Sequence, residues 1–246
     1  MNILQTLLAN WQAPHNIKAL TTTRKEGFSL APYSENNLGL HVGDKPEHVL
    51  ANRASLKQKL QLPNEPEWLS QIHSDICVII GEDNNREADA AISQSKDKVL
   101  AIMTADCLPI VLCNKEGTEI AAIHAGWKGL ANGVIENTLA KMTSPANDLI
   151  AWIGPSICQS CFEVGSEVFD IFKSRFSFAE KHFSARKEKW LANLPGLAES
   201  RLYQLGLSAV YQSKICTFEE ENDFYSYRRQ AQTGRMVTLI WFNENN

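Results

Sequence analysis

Three short apolar runs, each broken off at a polar residue, constrain this chain more than any other feature. "VLAIM" (99–103), "LPIVLC" (108–113) and "EIAAIH" (119–124) follow one another closely, and "LIAWIG" (149–154) comes later. They are rich in branched residues and too short for helices, so they read as strands of a core. Two residues do not belong to that core pattern. Cys107 sits between the first two runs, and His124 ends the third.

The rest of the chain surrounds those strands with helices. "IKALTTT" (17–23) predicts a strand, and "APYSENNLGLHVGD" (31–44) a polar loop. Asp44 with Glu47 resembles a capping box, and Pro46 suits a first helical turn. Val49, Leu50, Arg53, Leu56 and Leu60 mark one face of a helix over about 45–61, ended by Pro63. "WLSQI" and "DICVII" predict strands flanking His73. Helices are expected over 130–142, over 163–176 with Val164, Val168, Ile171 and Phe172 inward, and over about 195–205. The last carries Leu197, Leu202 and Leu205 and stops at Gly206. "AVYQSKI" and "MVTLIWF" close the chain as strands. With no repeat and no linker, 1–246 reads as a single α+β domain, with a mixed sheet and helices packed outside.

Composition removes several classes of function. The chain has 246 residues, 44% hydrophobic and 21% charged, a globular balance with ample length for a core. Its net charge is −4, with no block of five basic residues, so nucleic acid is not an expected partner. No apolar run reaches the ~18 residues of a membrane span. "MNILQTLLANWQAP" has neither a positive n-region nor a small-residue cleavage site, so a cytoplasmic protein is expected. The six cysteines are then expected to be reduced. Cys77 and Cys113 lie in apolar runs and read as buried small hydrophobes. Cys158 and Cys161 form a C-x-x-C with no second C-x-x-C to complete a zinc ribbon. A structural role is favoured over a redox dithiol.

His73, Cys107 and His124 stand out as candidate metal ligands. Each lies at a strand end, where side chains can converge above a sheet. Their separations of 34 and 17 residues form no local ligand motif. Spacing alone therefore leaves open two hydrogen-bonded histidines and a buried thiol. Local chemistry favours a site. "TADCLP" offers a hydroxyl, a carboxylate and a thiol in one turn, and the glycines of "HAGWKG" clear space beside His124. Two His and one Cys leave a fourth position open, the catalytic rather than the structural zinc pattern.

"QIHS", "MTADCLPIVL", "AAIHAGWKGLANGV", "WIGPSICQSCFEVG" and "FYSYRRQAQTGRM" resemble the successive blocks of the YfiH family, and "TTTRKEGFSLAPYSENNLGLHVGD" fits upstream. Members of that family have been called laccase-domain proteins or multicopper polyphenol oxidases, purine nucleoside phosphorylases, and peptidoglycan editing factors. The blocks run from about residue 20 to 242. The resemblance implies that His73, Cys107 and His124 bind a metal, usually zinc with copper as the alternative, and act in catalysis. It implies a layered form of the α+β domain, with mixed sheets between helices, in a fold related to cysteine hydrolases. It also implies phosphorolysis of adenosine, inosine and methylthioadenosine, with deamination of adenosine. Nucleoside and phosphate are then the small-molecule partners of a monomer or homodimer.

Phosphorolysis needs an anion site, and arginine suits phosphate because its planar donors match the oxygens. Arg24, Arg228 and Arg229 are the candidates, ahead of Arg235. Asn37 and His41 are candidates for the sugar. Asp89 and Asp106 are candidates to orient the ligands from behind, with a turn cap as the other reading of Asp106. Two rival chemistries attach to the same residues. One is an amidase or peptidoglycan-precursor editing hydrolase, with Cys107 as nucleophile and His124 as base. The other is a copper polyphenol oxidase, which six histidines without a His-x-His pair support poorly. The chain departs from the family pattern at three places. Glu26 and Ser74 stand where glycine is usual, and Asn193 where aspartate often precedes the late helix.

Overall fold

The structure, a computed structural model, describes residues 5–243. In chain order its strands are β1 (Thr6–Leu8), β2 (Ile17–Thr22), β3 (Glu67–Trp68), β4 (Cys77–Ile79), β5 (Ala90–Ser93), β6 (Val99–Thr104) and β7 (Leu108–Asn114). They continue as β8 (Ile120–Ala125), β9 (Leu149–Ile153), β10 (Glu163–Val164), β11 (Phe183–Arg186), β12 (Lys189–Ala192), β13 (Ala209–Gln212) and β14 (Met236–Phe242). The α-helices are α1 (Pro46–Leu60), α2 (Trp127–Asn132), α3 (Val134–Lys141), α4 (Ser166–Arg175) and α5 (Leu194–Gln204).

Two mixed sheets face each other. One has the order β1-β2-β14-β6-β3, the other β13-β9-β7-β8-β5-β4, and a small antiparallel sheet, β10-β12-β11, adds Val164, Phe183 and Ala192 to the core on the outer face of the second. The central strands are buried on both faces, which is why they read as unbroken apolar runs. In β7, Val111 and Cys113 join Leu100 and Ile102 of β6 and Ile240 of β14 between the sheets. On the outer face, Leu108, Ile110 and Leu112 pack with Val134 and Ile135 of α3, Phe172 of α4 and Leu197 of α5. The far face of the other sheet covers Leu56 of α1 with Ala101, Val237 and Leu239. The order is therefore helices, sheet, sheet, helix.

Several expectations need correcting. Asp44 does not cap α1: Lys45 is the N-cap residue and has no side-chain bond, while Asp44 accepts from the Lys45 N–H and from Asn37. Leu50 is exposed rather than inward. The inward face of α1 carries Val49, Arg53 and Leu56 as expected, with Asn52 in place of Leu50, and Asn52 and Arg53 tie down the 28–38 loop. Asn52 donates to Ser29, Glu35 and Asn37, and Arg53 donates twice to the Leu38 carbonyl. The helix expected over 130–142 is two helices, broken where Gly133 takes a left-handed φ of 105° that ends α2. Val164 belongs to β10 and Ile171 is exposed, so α4 turns in only Val168, Phe169 and Phe172. β3 covers only the start of the strand expected in "WLSQI", because the chain turns away to present His73. The β11–β12 hairpin went unread because its residues are mostly exposed and its pattern is not apolar.

Candidate metal centre

The ends of β6 and β8, the start of β7 and the 70–76 loop meet at one edge of the sandwich. His124 is the penultimate residue of β8, paired with Pro109 of β7, so Cys107, in the bend just before β7, lies beside it. The third residue comes from the loop. Gln71 clamps that loop to β6, its side chain accepting from the Met103 N–H and donating to the Met103 carbonyl. His73 then follows with φ of 61°. The side chains converge. His73 Nε2 lies 3.8 Å from Cys107 Sγ, the two imidazoles meet edge to face at 4.8 Å, and the three donor atoms all lie within 4.8 Å of one another.

Asp89 organises this arrangement from beneath. It is fully buried, and its carboxylate accepts from His124 Nδ1 at 2.7 Å, from the N–H groups of Ile72, His73 and Ser74, and from the Ser74 hydroxyl. One carboxylate thus leaves Nε2 of His124 to face the centre and fixes the turn that carries His73. Burial opposes its charge, but the His124 and Ser74 bonds outweigh it and hold its pKa at about 2, below the ordinary 3.8. Ser74, where glycine was expected, contributes two of those bonds.

Asp106 works differently. It bonds none of the three candidate ligands. With φ of 95°, it accepts from the hydroxyls of Thr217 and Ser226 and from the Arg228 N–H, while its carbonyl accepts from the Ile157 N–H. It fastens two distant loops beside Cys107 rather than orienting a ligand. A non-glycine residue in the left-handed region is strained, and both His73 and Asp106 hold that conformation at this centre.

The donor set fits a metal. Burial opposes charge on both Cys107 and His124. The two nonetheless charge each other: the histidines pull the thiol below its ordinary range, and Cys107 with Asp89 holds the His124 imidazole above its own. The space between the donors is also kept clear. A Cβ on Gly126 would come within 2.8 Å of the His73 ring and 3.1 Å of Cys107 Sγ. Two imidazoles and one thiolate are a three-donor set with a fourth side open, and that side faces a cavity of about 430 Å³. This volume falls in the roughly 300–1,000 Å³ range of small-molecule sites.

The cavity sorts the remaining candidates. His41, Arg228 and Arg235 line it, together with Trp127, Phe162 and Tyr227. Arg24, Arg229 and Asn37 do not. Arg24 donates to the carbonyls of Ser34 and Glu221 and lies over the Tyr225 ring. Arg229 donates to the carbonyls of Thr217, Phe218 and Phe224. Asn37 is buried and accepts from the Gly39 and Arg235 N–H groups, so it touches the site only through a neighbour's backbone. Arg235, ranked last from sequence, is at the site. The three aromatics were passed over, although Trp127 lies within "HAGWKG" and Tyr227 within "FYSYRR". Of the other departures, Glu26 has φ of 64°, a glycine-like conformation, and Asn193 caps α5 by accepting from the Gly196 N–H, as an aspartate would.

Fold and site together define a class: a two-sheet α+β protein with a three-donor centre open to a small-molecule cavity. Residues 18–243 match the family described as multi-copper polyphenol oxidoreductase laccase. Purine nucleoside phosphorylase YfiH of Escherichia coli is 41% identical over 237 residues, 96% of this chain and 98% of that protein. A purine nucleoside phosphorylase of Haemophilus influenzae is 42% identical over 97% of this chain and its own full length. A crystal structure of a Neisseria meningitidis protein superposes with a TM-score of 0.92 at 43% identity, covering 97% of this chain and 99% of that one. The chain belongs to the YfiH family. No helix among the described residues is long and apolar enough to cross a membrane.

Proposed function

We propose that this chain is a metal-dependent purine nucleoside phosphorylase acting on adenosine, inosine and methylthioadenosine, with a lesser adenosine deaminase activity. The observation that carries this reading is the cavity itself. It joins the three-donor centre to two guanidinium groups and three aromatic side chains, in a chain whose relatives are named purine nucleoside phosphorylases. Zinc held by His73, Cys107 and His124 would supply Lewis acidity at the open side.

The protein's own residues do the rest. Trp127, Phe162 and Tyr227 offer flat apolar surface for a purine. Arg228 and Arg235 hold phosphate for attack on the anomeric carbon, where a carbon–oxygen bond forms as the bond to the purine nitrogen breaks. The Arg228 guanidinium, over the Phe162 ring and bonded to the Glu163 carbonyl, is already positioned. His41 lines the same cavity, and burial together with Arg235 and Arg53 lowers its pKa. It therefore stays neutral near pH 7 and can accept a hydrogen bond from a sugar hydroxyl. Incubation with adenosine and phosphate tests the proposal. Adenine and ribose 1-phosphate are expected, with a smaller yield of inosine, and release of adenine that does not depend on phosphate would reject it.

One observation favours a second reading. Cys107, His124 and Asp89 form a thiol–imidazole–carboxylate series, the arrangement of a cysteine hydrolase. Fast release of serine from a muramyl-serine precursor, with nucleosides left intact, would establish that reading.

A further inference from the structure

A second group of ligand-type residues lies outside the catalytic cavity. Cys158 and Cys161, on the turn after β9, meet Cys216 and Glu219, on the turn after β13, with one donor atom from each within 4.8 Å of all the others. The C-x-x-C thus has a partner after all: "CTFE" repeats its spacing with glutamate in the fourth place. All six cysteines are free thiols.

The backbone has the form of two metal-binding turns. The Cys161 N–H bonds the Cys158 carbonyl and also points at the Cys158 sulfur. The Glu220 N–H closes the other turn on the Cys216 carbonyl, and the Phe218 and Glu219 N–H groups point at the Cys216 sulfur. The Cys158 N–H adds a third donor to that sulfur at 3.3 Å. Several N–H groups aimed at a sulfur are the surroundings of a ligating thiolate. The adjacent Ser156–Cys216 bridge holds the two turns together.

We infer that Cys158, Cys161, Cys216 and Glu219 bind a second, structural zinc ion that staples the 156–162 loop to the 215–229 loop. The donors suit it: three thiolates and a carboxylate fill all four positions of a tetrahedron. Zinc–sulfur bonds of about 2.3 Å put sulfurs about 3.8 Å apart, so the donors need to close by only about an ångström. Binding releases the thiol protons. The Arg229 guanidinium, bonded to the Thr217 and Phe218 carbonyls within the second turn, lies close enough to Cys216 to offset thiolate charge. This gives a role to an arginine that the phosphate site does not use.

The location gives the ion a purpose. Both stapled loops reach the catalytic cavity. Ile157 and Phe162 line it from one, and Tyr227 and Arg228 from the other. Asp106 bonds both loops as well, through the Ile157 N–H and the Thr217 hydroxyl. The inference is independent of which reaction the cavity performs.

Zinc content of protein purified from zinc-supplemented medium, without chelators, tests this. Wild type is expected to carry two zinc ions per chain, Cys107→Ala one, and Cys158→Ser/Cys216→Ser one. Loaded with Co²⁺, Cys107→Ala should show thiolate-to-cobalt charge-transfer absorption, and Glu219→Gln, altered only at an exposed side chain, should release cobalt to chelator faster. If the serine double variant does not fold, alkylation of wild type decides. Cys158, Cys161 and Cys216 should be protected in the zinc form and modified after chelation. Unchanged zinc content in the serine variant, equal alkylation with and without zinc, or a disulfide among these three cysteines in the isolated protein would each overturn the inference.

Discussion

The two clusters use the same kinds of donor for opposite ends. At the first, His73, Cys107 and His124 come from three distant segments, and nothing supplied by the protein fills the fourth side, which faces the cavity. At the second, Cys158, Cys161, Cys216 and Glu219 come from two compact turns and complete the shell. Three donors leave room for chemistry, while four exchange it for rigidity. The supports differ accordingly. The first centre leans on one buried carboxylate, Asp89, and on two strained backbone positions. The second leans on backbone N–H groups, which cost little to arrange in a tight turn.

That contrast can be broken most directly at Cys107. Cys107→Ala should bring phosphorolysis to the assay background and remove one metal ion, while thermal stability changes little because this partly buried thiol lies outside the hydrophobic core. Loss of both ions together would mean that the clusters are not independent.

Asp89→Asn should act next most strongly, and only on the first centre. Loss of a carboxylate behind a metal-bound histidine costs about 10- to 100-fold in metal affinity, read by competition with a chelator. The same carboxylate ties stability to pH. Its folded pKa is depressed to about 2 from 3.8. Its stabilisation, roughly 2 kcal/mol, is therefore complete above about pH 4 and lost as pH falls toward 2. Acid titration of wild type against Asp89→Asn should show the two stability curves converging over that window. Parallel curves would remove Asp89 from this role.

The arginines sharpen the comparison within the cavity. Arg235→Ala or Arg228→Ala should raise the KM for phosphate about tenfold or more, the value of a charge-assisted hydrogen bond at roughly 1.5–3 kcal/mol. Lysine should restore only part, since it keeps the charge and loses the fork. Deamination consumes no phosphate and should largely survive. Equal loss of both activities would place the arginine on the nucleoside instead. The smallest effect on phosphate is expected at Arg24, whose guanidinium is bonded to the Ser34 and Glu221 carbonyls away from the cavity: Arg24→Ala should leave the KM for phosphate nearly unchanged, with any loss appearing in thermal stability instead.

What the sequence determined by itself is local. Short branched runs become doubly buried strands because nothing else hides so many apolar residues in so few. Gly206 and Pro46 mark helix ends through their own backbone restrictions. His73, Cys107 and His124 were legible because each is a polar residue at the tip of an apolar run, and because their motifs resemble a known family. What tertiary structure alone decided is which distant residues meet. From sequence Arg24 stands ahead of Arg235 as a phosphate ligand, yet Arg24 lies off the cavity and Arg235 lines it. Asp89 and Asp106 were equal candidates, yet one holds both histidines and the other ties two loops. "CQSC" and "CTFE" lie 58 residues apart and form one cluster only because β9 and β13 run parallel and deliver their following turns to the same edge. Side-chain chemistry is written in the residue, but its partners are set by strand order and register, and these depend on burial summed over the whole sandwich rather than on any one stretch of it.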